Sequence, residues 1–353
     1  MKEPTLSIVI IGRNEGDRLV SCLQSVASIR AEAELIYVDS ASTDGSSQVA
    51  GTFEAQVIVL HGGIQTAARA RNAGWQRALA PYVLFLDGDT ILNRDFPAAA
   101  LKVLESDPSI AAVWGHRREL HPEHSLYNQV LDLDWIYPAG PTDYCGGDVL
   151  MRRSAIAKTE GYDPGLIAGE EPELCRRLRA HGYRIVHIDV PMTRHDLNMT
   201  RFSQYWRRAV RAGHAYAEIS ARFRGSADPM WSQESNRNLR SGGFWIVWLP
   251  IALLMGALKS LWIIPWLALL PILSVRSAWK ARSKAQGQTM LLLLYGLHSH
   301  LQQIPILVGQ LRYFVGRHSN HQGKQIEYKQ GADDDRVLSI RRVHESVARD
   351  NSL

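Results

Sequence analysis

A run of apolar residues that ends in two carboxylates limits most strongly what this chain can fold into. The run covers residues 82–86, and Asp87 and Asp89 follow it, separated by one glycine. An apolar run of this length, bounded by a turn, is typical of a fully buried strand in a parallel sheet. Ligands of such sheets bind at the carboxyl ends of the strands, so both carboxylates are expected at the edge of a site. Two oxygen ligands this close suit Mg²⁺ or Mn²⁺, although Asp-Gly is also common turn chemistry.

Strands and helices alternate in the residues before this run. Strands are predicted over residues 6–11, 34–39 and 56–60, and each is followed by a helical pattern. This alternation indicates βαβ units and a parallel sheet. Asn14 is expected to cap the first helix. Asp39 ends the second strand at the same edge of the sheet, where a carboxylate can accept a hydrogen bond from a ribose hydroxyl or a base N–H.

Composition and missing motifs exclude several classes of function. The formal net charge of the 353 residues is only +5, so no nucleic-acid partner is expected. Cys22, Cys145 and Cys175 form no CxxC pair, which fits a reducing compartment and argues against zinc or a disulfide framework. Neither a G-x-G-x-x-G nor a P-loop motif occurs, so phosphate charge must be balanced by other groups. A metal on Asp89 and the guanidinium of Arg71 are available, although Arg71 alone reads as part of a solvated helix face.

Four segments, in order, resemble the GT-A domain of family 2 glycosyltransferases: residues 6–15, 38–46, 70–74 and 85–89. The resemblance implies a UDP- or GDP-linked sugar donor and a divalent cation, Mn²⁺ or Mg²⁺. It also implies that Asp39 holds the nucleoside, that Arg71 lies near the diphosphate and that Asp87 and Asp89 form the DxD motif. The last aspartate of that motif usually contacts the metal. The donor-binding residues implied are Asn14, Glu15, Asp39, Asp44, Arg71 and Asp87.

Later segments resemble further motifs of the same family. Residues 144–153 resemble its acceptor-side strand with paired glycines, and residues 161–163 and 169–178 resemble its GxD and G-E-D-x-D-L motifs. In the last motif the second acid is the general base, and Glu171 stands at that position. Because this chain has Glu where the family has Asp, Glu170 remains an alternative base. An acid at a helix start is also simply favoured by the helix dipole.

Histidines are the remaining candidate metal ligands. A strand is predicted over residues 184–188, and His195 follows it where some members of the family place a metal-ligating histidine. The metal ligands expected are therefore Asp87, Asp89 and His195. His116, His121 and His124 follow a strand predicted over residues 110–114. Their irregular spacing favours solvated loop histidines over a metal cluster.

The chain after residue 200 has the pattern of a membrane-associated region. Residues 200–223 predict a long helix that is both basic and aromatic, and it lies either at a membrane interface or on an ordinary packed surface. Residues 244–275 are apolar except for Lys259-Ser260, and each half is shorter than the ~20 residues that a straight span needs. Basic residues on both flanks favour two cytosolic ends, which a hairpin satisfies. A buried soluble hairpin is the alternative. Residues 290–315 predict an amphipathic or protein-packed helix.

The expected class is therefore α/β: a GT-A nucleotide-sugar-binding domain with a mostly parallel sheet, followed by C-terminal membrane-associated helices. The expected parts are the GT-A domain, a linker, a membrane hairpin with an amphipathic helix, and a polar cytosolic tail. They cover residues 1–225, 226–243, 244–316 and 317–353, respectively. The first strand begins close to Met1, so no signal peptide is expected. The catalytic domain should face the cytosol at the cytoplasmic membrane.

The expected activity is inverting transfer of a sugar to a hydroxyl group of a lipid-linked or other membrane glycan. Membrane lipid is then a further partner. Two alternatives stay open. One is a polyprenyl-phosphate glycosyltransferase, whose acceptor needs no deprotonation of a hydroxyl. The other is a non-catalytic subunit that keeps the nucleotide-binding fold.

Overall fold

The computed structural model describes residues 4–318, without the side chains of residues 30–32 and 318. The described chain divides into two compact units. The first unit contains the residues up to Leu120 together with Tyr137–Leu197, and the second contains His121–Ile136 and the residues from Asn198 onward. The expected domain boundary at residue 225 differs from this division, because the helix after residue 200 belongs to the second unit.

The first unit is built on one nine-stranded sheet. Its order is β3-β2-β1-β4-β8-β6-β9-β5, with β7 paired to β9. Strands β8, β5 and β7 run opposite to the others, so the sheet is mixed but mostly parallel. The strands are β1 Leu6–Gly12, β2 Ala33–Asp39, β3 Gln56–Val59, β4 Tyr82–Asp87, β5 Thr90–Leu92, β6 Ile110–Glu119, β7 Gly140–Thr142, β8 Val149–Arg152 and β9 Arg184–His195.

Helices cover the sheet of the first unit and make up most of the second unit. Helices α1–α4, α6 and α7 belong to the first unit, and α5 and α8–α12 belong to the second. The helices are α1 Asp17–Val26, α2 Ser46–Thr52, α3 Ala67–Arg77, α4 Phe96–Ser106, α5 Leu126–Asp134, α6 Arg153–Lys158, α7 Glu170–Ala180, α8 Phe202–Phe223, α9 Ser232–Ala257, α10 Ile263–Lys280, α11 Thr289–Leu301 and α12 Gln303–His318.

The central strands form the core because their side chains are apolar on both faces. Ile8, Ile10 and Phe85 are completely buried. Complete burial of such a side chain contributes roughly 1.5–3 kcal/mol. A Cβ added to Gly74 of α3 would lie 2.2 Å from Val9 Cγ1, so glycine is needed for α3 to pack this closely on β1. The predicted buried strand at residues 82–86 is confirmed as β4.

The apolar segment predicted as a hairpin after residue 244 forms two helices, which belong to the second unit. Helices α9 and α10 are its two arms, and residues 258–262 connect them. The prediction of a linker over residues 226–243 is wrong from Ser232 onward, because that stretch forms the first turns of α9. Ser235, Asn238 and Gly242 of those turns are buried by packing against other helices. The predicted tail from residue 317 onward lies almost entirely outside the described residues.

Within the described residues, two helical segments are long and apolar enough to cross a membrane, judged by length and composition alone. They are Ser232–Ala257 and Thr289–Arg317. The first is longer than the apolar half predicted from sequence because it extends back to Ser232. The second joins α11 and α12, which the structure separates at Gln302.

Two local predictions are corrected. Asn14 does not cap α1, which begins at Asp17 after Gly16. The Asn14 side chain instead accepts a hydrogen bond from the Thr43 backbone N–H at 2.8 Å, and so joins two loops at the edge of the sheet. His116 is not a loop residue, because β6 continues through it to Glu119. Its side chain lies 2.7 Å from the carboxylate of Asp189.

Candidate active site

The candidate site begins where β1, β2 and β4 end together. Gly12 at the end of β1 pairs with Asp39 on β2, and Ile11 pairs with Asp87 on β4. Because the three strands are parallel and in this register, the two acids flank the end of β1. The sequence prediction that Asp39 and Asp87 share one edge of the sheet is confirmed.

Asp39 organises the loop that follows β2. Its carboxylate is buried and accepts hydrogen bonds from the Tyr37 hydroxyl at 3.1 Å and the Ser42 backbone N–H at 2.8 Å. The Ser42 hydroxyl also donates to Asp39 and accepts from the Asn14 backbone N–H at 2.9 Å. Burial, followed by the charge of Asp39, raises the pKa of Tyr37 well above its ordinary value, so the phenol stays a donor. The loop after β2 is therefore fixed by the residue that was expected to hold the nucleoside.

Two other predicted donor ligands make contacts inside the protein. Asp44 accepts hydrogen bonds from the backbone N–H groups of Gly16 and Ser46, each at 3.0 Å, and so fixes the start of α2 to the β1–α1 loop. Glu15 is buried and lies 2.6 Å from a guanidinium nitrogen of Arg18. Both residues lie near the edge of the sheet that carries Asp39.

Asp87, Asp89 and His195 form a cluster of possible metal ligands. One donor atom from each residue lies within 4.8 Å of the other two. The short strand β5 runs antiparallel to β9 with Thr90 opposite His195, and this pairing brings the histidine to the DxD motif. His195 Nε2 lies 3.3 Å from Asp89 Oδ1, and both side chains are buried. Carboxylate oxygens and neutral imidazole are a donor set that suits Mn²⁺, and also Mg²⁺ when phosphate completes the shell.

Arg71 joins the DxD motif to the start of α7. Its Nη2 lies 2.9 Å from Asp87 Oδ1, and its Nη1 lies 3.0 Å from an oxygen of both Glu170 and Glu171. The arginine is buried, not part of a solvated helix face. Burial alone would lower the pKa of Arg71, but the three carboxylates, Glu171 most strongly, raise it well above its ordinary value. Arg71 therefore holds carboxylates together in this structure.

Gly147 makes this cluster possible. A Cβ at that position would lie 2.4 Å from Arg71 Nη2, 3.0 Å from Asp87 Oδ2 and 3.2 Å from Glu171 Oε1. Only glycine therefore lets the backbone before β8 pass so close to the three charged groups. The paired-glycine segment and the two acidic motifs meet at this point.

Glu171 has the environment of a carboxylate that exchanges protons near neutral pH. It lies in the first turn of α7, whose N-terminal dipole favours the anion. Burial and the charge of Glu170 raise the pKa of Glu171, Arg71 opposes the shift, and the resulting pKa is about 7. Glu170 is the more deeply buried of the two, because 5% of its side chain is exposed against 16% for Glu171. Glu171 is thus the more accessible candidate base.

Sequence reasoning missed Asp148 and Arg117. Asp148 is buried and accepts hydrogen bonds from the Asp87 backbone N–H at 3.0 Å and the Thr193 hydroxyl at 2.8 Å. Arg117 Nη2 lies 3.7 Å from Asp87 Oδ2, and Arg117 Nε lies 3.7 Å from Asp148 Oδ2. Burial raises the pKa of Asp148, Arg117 opposes the shift and Asp87 adds to it, and the resulting pKa is about 6. Asp148 directly follows the paired glycines, and this position in the sequence could have marked it as a residue near the site.

A second group of possible metal ligands lies in the second unit. Donor atoms of His121, Glu123 and His124 lie within 4.8 Å of one another, with the glutamate and one histidine exposed. The two imidazoles stack with ring centroids 4.4 Å apart. Parallel stacked rings direct their nitrogen lone pairs alongside each other, which does not favour one shared ion. The prediction of solvated histidines fits this arrangement better than a metal cluster.

The fold is that of a known structural class. The mixed sheet, with acids at the ends of β2 and β4, is the fold of a GT-A glycosyltransferase. The structure is similar to that of the mannosyltransferase PcManGT from Pyrobaculum calidifontis, solved with GDP-Man and Mn²⁺. The TM-score is 0.59 at 18% identity, over 89% of this chain and 88% of that chain. At this identity the likeness establishes the fold alone.

The family follows from the sequence comparison. Residues 7–158 match the model of glycosyl transferase family 2, so the chain carries a domain of this family and the resemblance is confirmed. The chain is 24% identical over 194 residues to poly-beta-1,6-N-acetyl-D-glucosamine synthase of Staphylococcus aureus, covering 51% of this chain and 47% of the synthase. It is 26% identical over 271 residues to pre-mycofactocin glycosyltransferase of Mycobacterium tuberculosis. That match covers 72% of this chain and 55% of the relative. The chain thus spans about half the length of these curated relatives.

Proposed function

We propose that the protein is a membrane-attached, metal-dependent inverting glycosyltransferase. It transfers a sugar from a UDP- or GDP-linked donor to a hydroxyl group of a lipid-linked glycan, on the cytosolic side of the cytoplasmic membrane. The observation that carries this proposal is the junction at Arg71, where Asp87 of the DxD motif and the candidate base Glu171 share one guanidinium. That junction brings the donor end and the acceptor end of a transfer reaction within one cluster.

The residues present fit a divalent cation. Asp89, Asp87 and His195 offer two hard oxygen donors and one imidazole within 4.8 Å of one another. Mn²⁺ or Mg²⁺ held there would stabilise negative charge on the leaving nucleoside diphosphate. The GT-A neighbour with GDP-Man and Mn²⁺ supports the choice of cation and of donor class.

Donor binding uses the loops at the ends of β1 and β2. Asp39 keeps the Ser42 loop in place, and Asn14 ties that loop to the end of β1. These loops would receive the nucleoside of the donor. Arg117 lies 3.7 Å from Asp87, one of the proposed metal ligands, and would face the diphosphate and the sugar there. Arg71 acts on the donor through Asp87, since its own guanidinium already meets three carboxylates.

Glu171 removes the proton from the acceptor hydroxyl as that oxygen attacks the anomeric carbon. A pKa near 7 suits this role, because a general base works best when its pKa is close to the working pH. Arg71 orients the carboxylate, and the buried Glu170 keeps it basic by like-charge repulsion. Attack from the face opposite the leaving group inverts the anomeric centre, in keeping with the family resemblance.

The relatives and the helical unit support a membrane glycan as acceptor. The two curated relatives are named as a polysaccharide synthase and a glycosyltransferase, respectively. The second unit exposes large apolar side chains along α9 and α10, such as Leu253, Leu254 and Leu261. Exposed apolar surface of this extent marks a protein or membrane contact. An enzyme held at the bilayer can act repeatedly on an acceptor that has a lipid anchor.

The test is transfer and donor hydrolysis over a panel of UDP- and GDP-sugars, with Mn²⁺, with Mg²⁺ and with chelator. We expect turnover with at least one donor, its loss with chelator, and its loss in Glu171→Gln while donor binding persists. Glu105→Gln, an exposed acid on α4, is the matched control and should keep full activity.

Two outcomes of this test would favour the alternatives. Full turnover in Glu171→Gln would indicate a phosphate acceptor, which needs no general base. Nucleotide binding without turnover of any donor would indicate a non-catalytic subunit. Either result contradicts the proposal.

A further inference from the structure

Helix α12 packs so closely against α8 that the contact leaves no room for a side chain at two positions. A Cβ on Gly309 would lie 2.0 Å from the carbonyl oxygen of Val210, and a Cβ on Gly213 would lie 2.0 Å from that of Ile306. Glycine is therefore required on both helices. Small residues at a crossing of this kind let helices pack tightly in water or in lipid.

Helix α8 is too charged to cross a bilayer. Helix α12 packs along α8 and therefore cannot cross it either. Arg207, Arg208 and Arg211 lie on α8 beside the crossing. Each arginine at the centre of a membrane helix costs about 2.5–3.5 kcal/mol on insertion scales. Because α12 packs along α8, it stays outside the hydrocarbon with it. Helix α11 alone is then about 20 Å long, too short for a hydrocarbon core of about 30 Å.

The first third of α9 is also held by protein. Gln310 Nε2 donates hydrogen bonds to the Ser235 carbonyl at 3.1 Å and to its hydroxyl at 2.8 Å. A Cβ on Gly242 would lie 2.5 Å from Leu307 Cβ. Beyond residue 243, α9 is mostly exposed, apart from Trp245, which packs on His300 of α11, and the buried Ala252. That part has about 14 residues and is roughly 21 Å long, shorter than the hydrocarbon core.

The second arm of the hairpin is shorter still. A Cβ on Gly296 of α11 would lie 2.1 Å from the carbonyl oxygen of Ser274, so α10 is packed on α11 from that residue onward. The free part of α10 is roughly 16 Å long, about half the thickness of the hydrocarbon core. Since both arms end in one connection, the shorter arm limits how deep the hairpin reaches.

The free arms form one rigid apolar element. The Trp248 indole donates a hydrogen bond to the Trp266 carbonyl at 3.2 Å, and the Trp266 indole donates to the Trp248 carbonyl at 2.9 Å. These reciprocal bonds satisfy both indole groups without water. At the connection, Leu261 and Trp262 are 82% and 73% exposed. Apart from Lys259 and Ser260, the residues around the tip are apolar and exposed, so most of this surface gains nothing from contact with water.

Charge identifies the occupant of this surface as a lipid bilayer. No aspartate or glutamate occurs between Glu234 and Glu327, a stretch that contains the whole hairpin. Exposed basic residues stand where the arms leave the helical bundle, among them Arg240 and Arg276. A second copy of the chain would bring the same positive charge against them. Anionic headgroups complement them, at about 1 kcal/mol for each basic residue near the surface.

We infer that the α9–α10 hairpin enters one leaflet of an anionic bilayer and returns to the same side, so that no described helix crosses the membrane. This inference rests on the membrane attachment proposed above and specifies its geometry. The basic residues at the base lie among the headgroups. A tilted hairpin keeps the Lys259 ammonium within reach of the polar region of the same leaflet.

Two variants of the full chain, each with one added cysteine, test the geometry. Ser260→Cys places a thiol at the tip and Ser283→Cys places one at the base, while the three native cysteines are buried. Each variant is treated with a membrane-impermeant maleimide in right-side-out and inside-out membrane vesicles. We expect the base thiol to react only where the cytosolic face is exposed. The tip thiol should react in neither preparation until detergent dissolves the bilayer.

Three outcomes are distinguishable. Reaction of the tip thiol from the face opposite the base would show a spanning hairpin and overturn the inference, while the proposed membrane attachment would stand. Reaction of tip and base from the same face without detergent would show that the hairpin is not inserted. Absence of the wild-type chain from the membrane fraction would contradict the attachment itself. Donor binding, measured in each variant, establishes that the catalytic unit is folded.

Substitution of two exposed leucines of the hairpin tests the lipid partner separately. The double variant Leu253→Gln with Leu254→Gln should bind vesicles of phosphatidylcholine and phosphatidylglycerol at least about tenfold more weakly, because it adds two amides to the inserted face. Leu79→Gln, an exposed leucine of the first unit, is the matched control and should bind like wild type. Equal binding of both variants would contradict a role for this face in lipid.

Discussion

Arg71 Nη2 lies 2.9 Å from Asp87 Oδ1, and this contact links an acid of the DxD motif to the two glutamates at the start of α7. One buried guanidinium thus holds carboxylates from β4 and α7 together. Without it, these acids would repel one another in a site of low dielectric. The contact therefore serves both the stability of the fold and the geometry of the proposed reaction.

Replacement of Arg71 should destabilise the protein strongly. Arg71→Ala leaves three carboxylates without their shared cation, and breaking a buried pair in this way costs about 3–5 kcal/mol of unfolding free energy. The loss should shrink as pH falls toward 5, because Glu171, with a pKa of about 7, is then protonated and no longer repels the other two acids. Urea unfolding at pH 8 and pH 5 measures both effects. Arg77→Ala, an exposed arginine on the same helix, should stay within about 1 kcal/mol of wild type.

The raised pKa of Glu171 predicts how the rate depends on pH. The base must be deprotonated, so kcat/KM should fall about tenfold for each pH unit below a pKa near 7. The profile is measured at saturating Mn²⁺ with the donor found in the panel. A rate independent of pH between 5.5 and 7.5 would speak against Glu171 as the base.

The same shift makes a prediction for stability. The folded state keeps the proton of Glu171 up to about pH 7, whereas a free glutamate loses it near 4.5, so the stability due to this group falls as pH rises between those values. Glu171→Gln imitates the protonated form at every pH. Its melting temperature relative to wild type should therefore be higher at pH 8 than at pH 5. An equal difference at both pH values would contradict the raised pKa.

Features close together in sequence were predictable. Residues 82–89 contain both the apolar run and the acids, and their pattern predicted β4 and its position at the edge of a site. The end of β2 at Asp39 followed from the same reasoning. Glu171 was found through a motif within one helix start. For β4 and β2 the local periodicity and the acidic side chain lie within one element, whereas Glu171 was proposed from the family motif.

Features made by distant residues were not predictable from the pattern. The carboxylate partners of Arg71 come from β4 and α7, nearly one hundred residues away for Glu170. Its burial could not be read from α3, whose helical spacing does not show which arginine meets acids. His195 was found only through the resemblance, because its approach to Asp89 depends on the pairing of β5 with β9. No motif or periodicity around Asp148 predicts its contacts with Asp87 and Thr193.

His195 should contribute directly to metal binding. Its Nε2 lies 3.3 Å from Asp89 Oδ1, so one cation can meet both groups. His195→Ala should weaken Mn²⁺ binding at least about tenfold in the presence of UDP or GDP, because one of three protein ligands is lost. Electron paramagnetic resonance of free Mn²⁺ gives the affinity without any need for turnover. His181→Ala, an exposed histidine after α7, is the control, and equal affinity in the two variants would remove His195 from the ligand set.

Asp148 should matter for the metal although it is not among the proposed ligands. Its two oxygens accept from the Asp87 backbone N–H and the Thr193 hydroxyl, so it fixes the end of β4 to β9, the strand that carries His195. Asp148→Asn removes the charge that faces Arg117 and turns one acceptor into a donor, so the Thr193 hydroxyl must change from donor to acceptor and the tie between β4 and β9 is weakened. Because outer partners of this kind typically change metal affinity by about 10–100-fold, Mn²⁺ binding should weaken within that range.

A purely structural role for Asp148 would give a different result. Asp148→Asn removes the cost of burying a charge together with the charge itself. Its unfolding free energy should therefore change less than its free energy of Mn²⁺ binding. Asp189→Asn changes an exposed carboxylate on the same strand β9 and should leave Mn²⁺ binding at the wild-type value. If Asp148→Asn unfolds more easily but binds Mn²⁺ like wild type, then Asp148 supports the sheet and does not position the ligands.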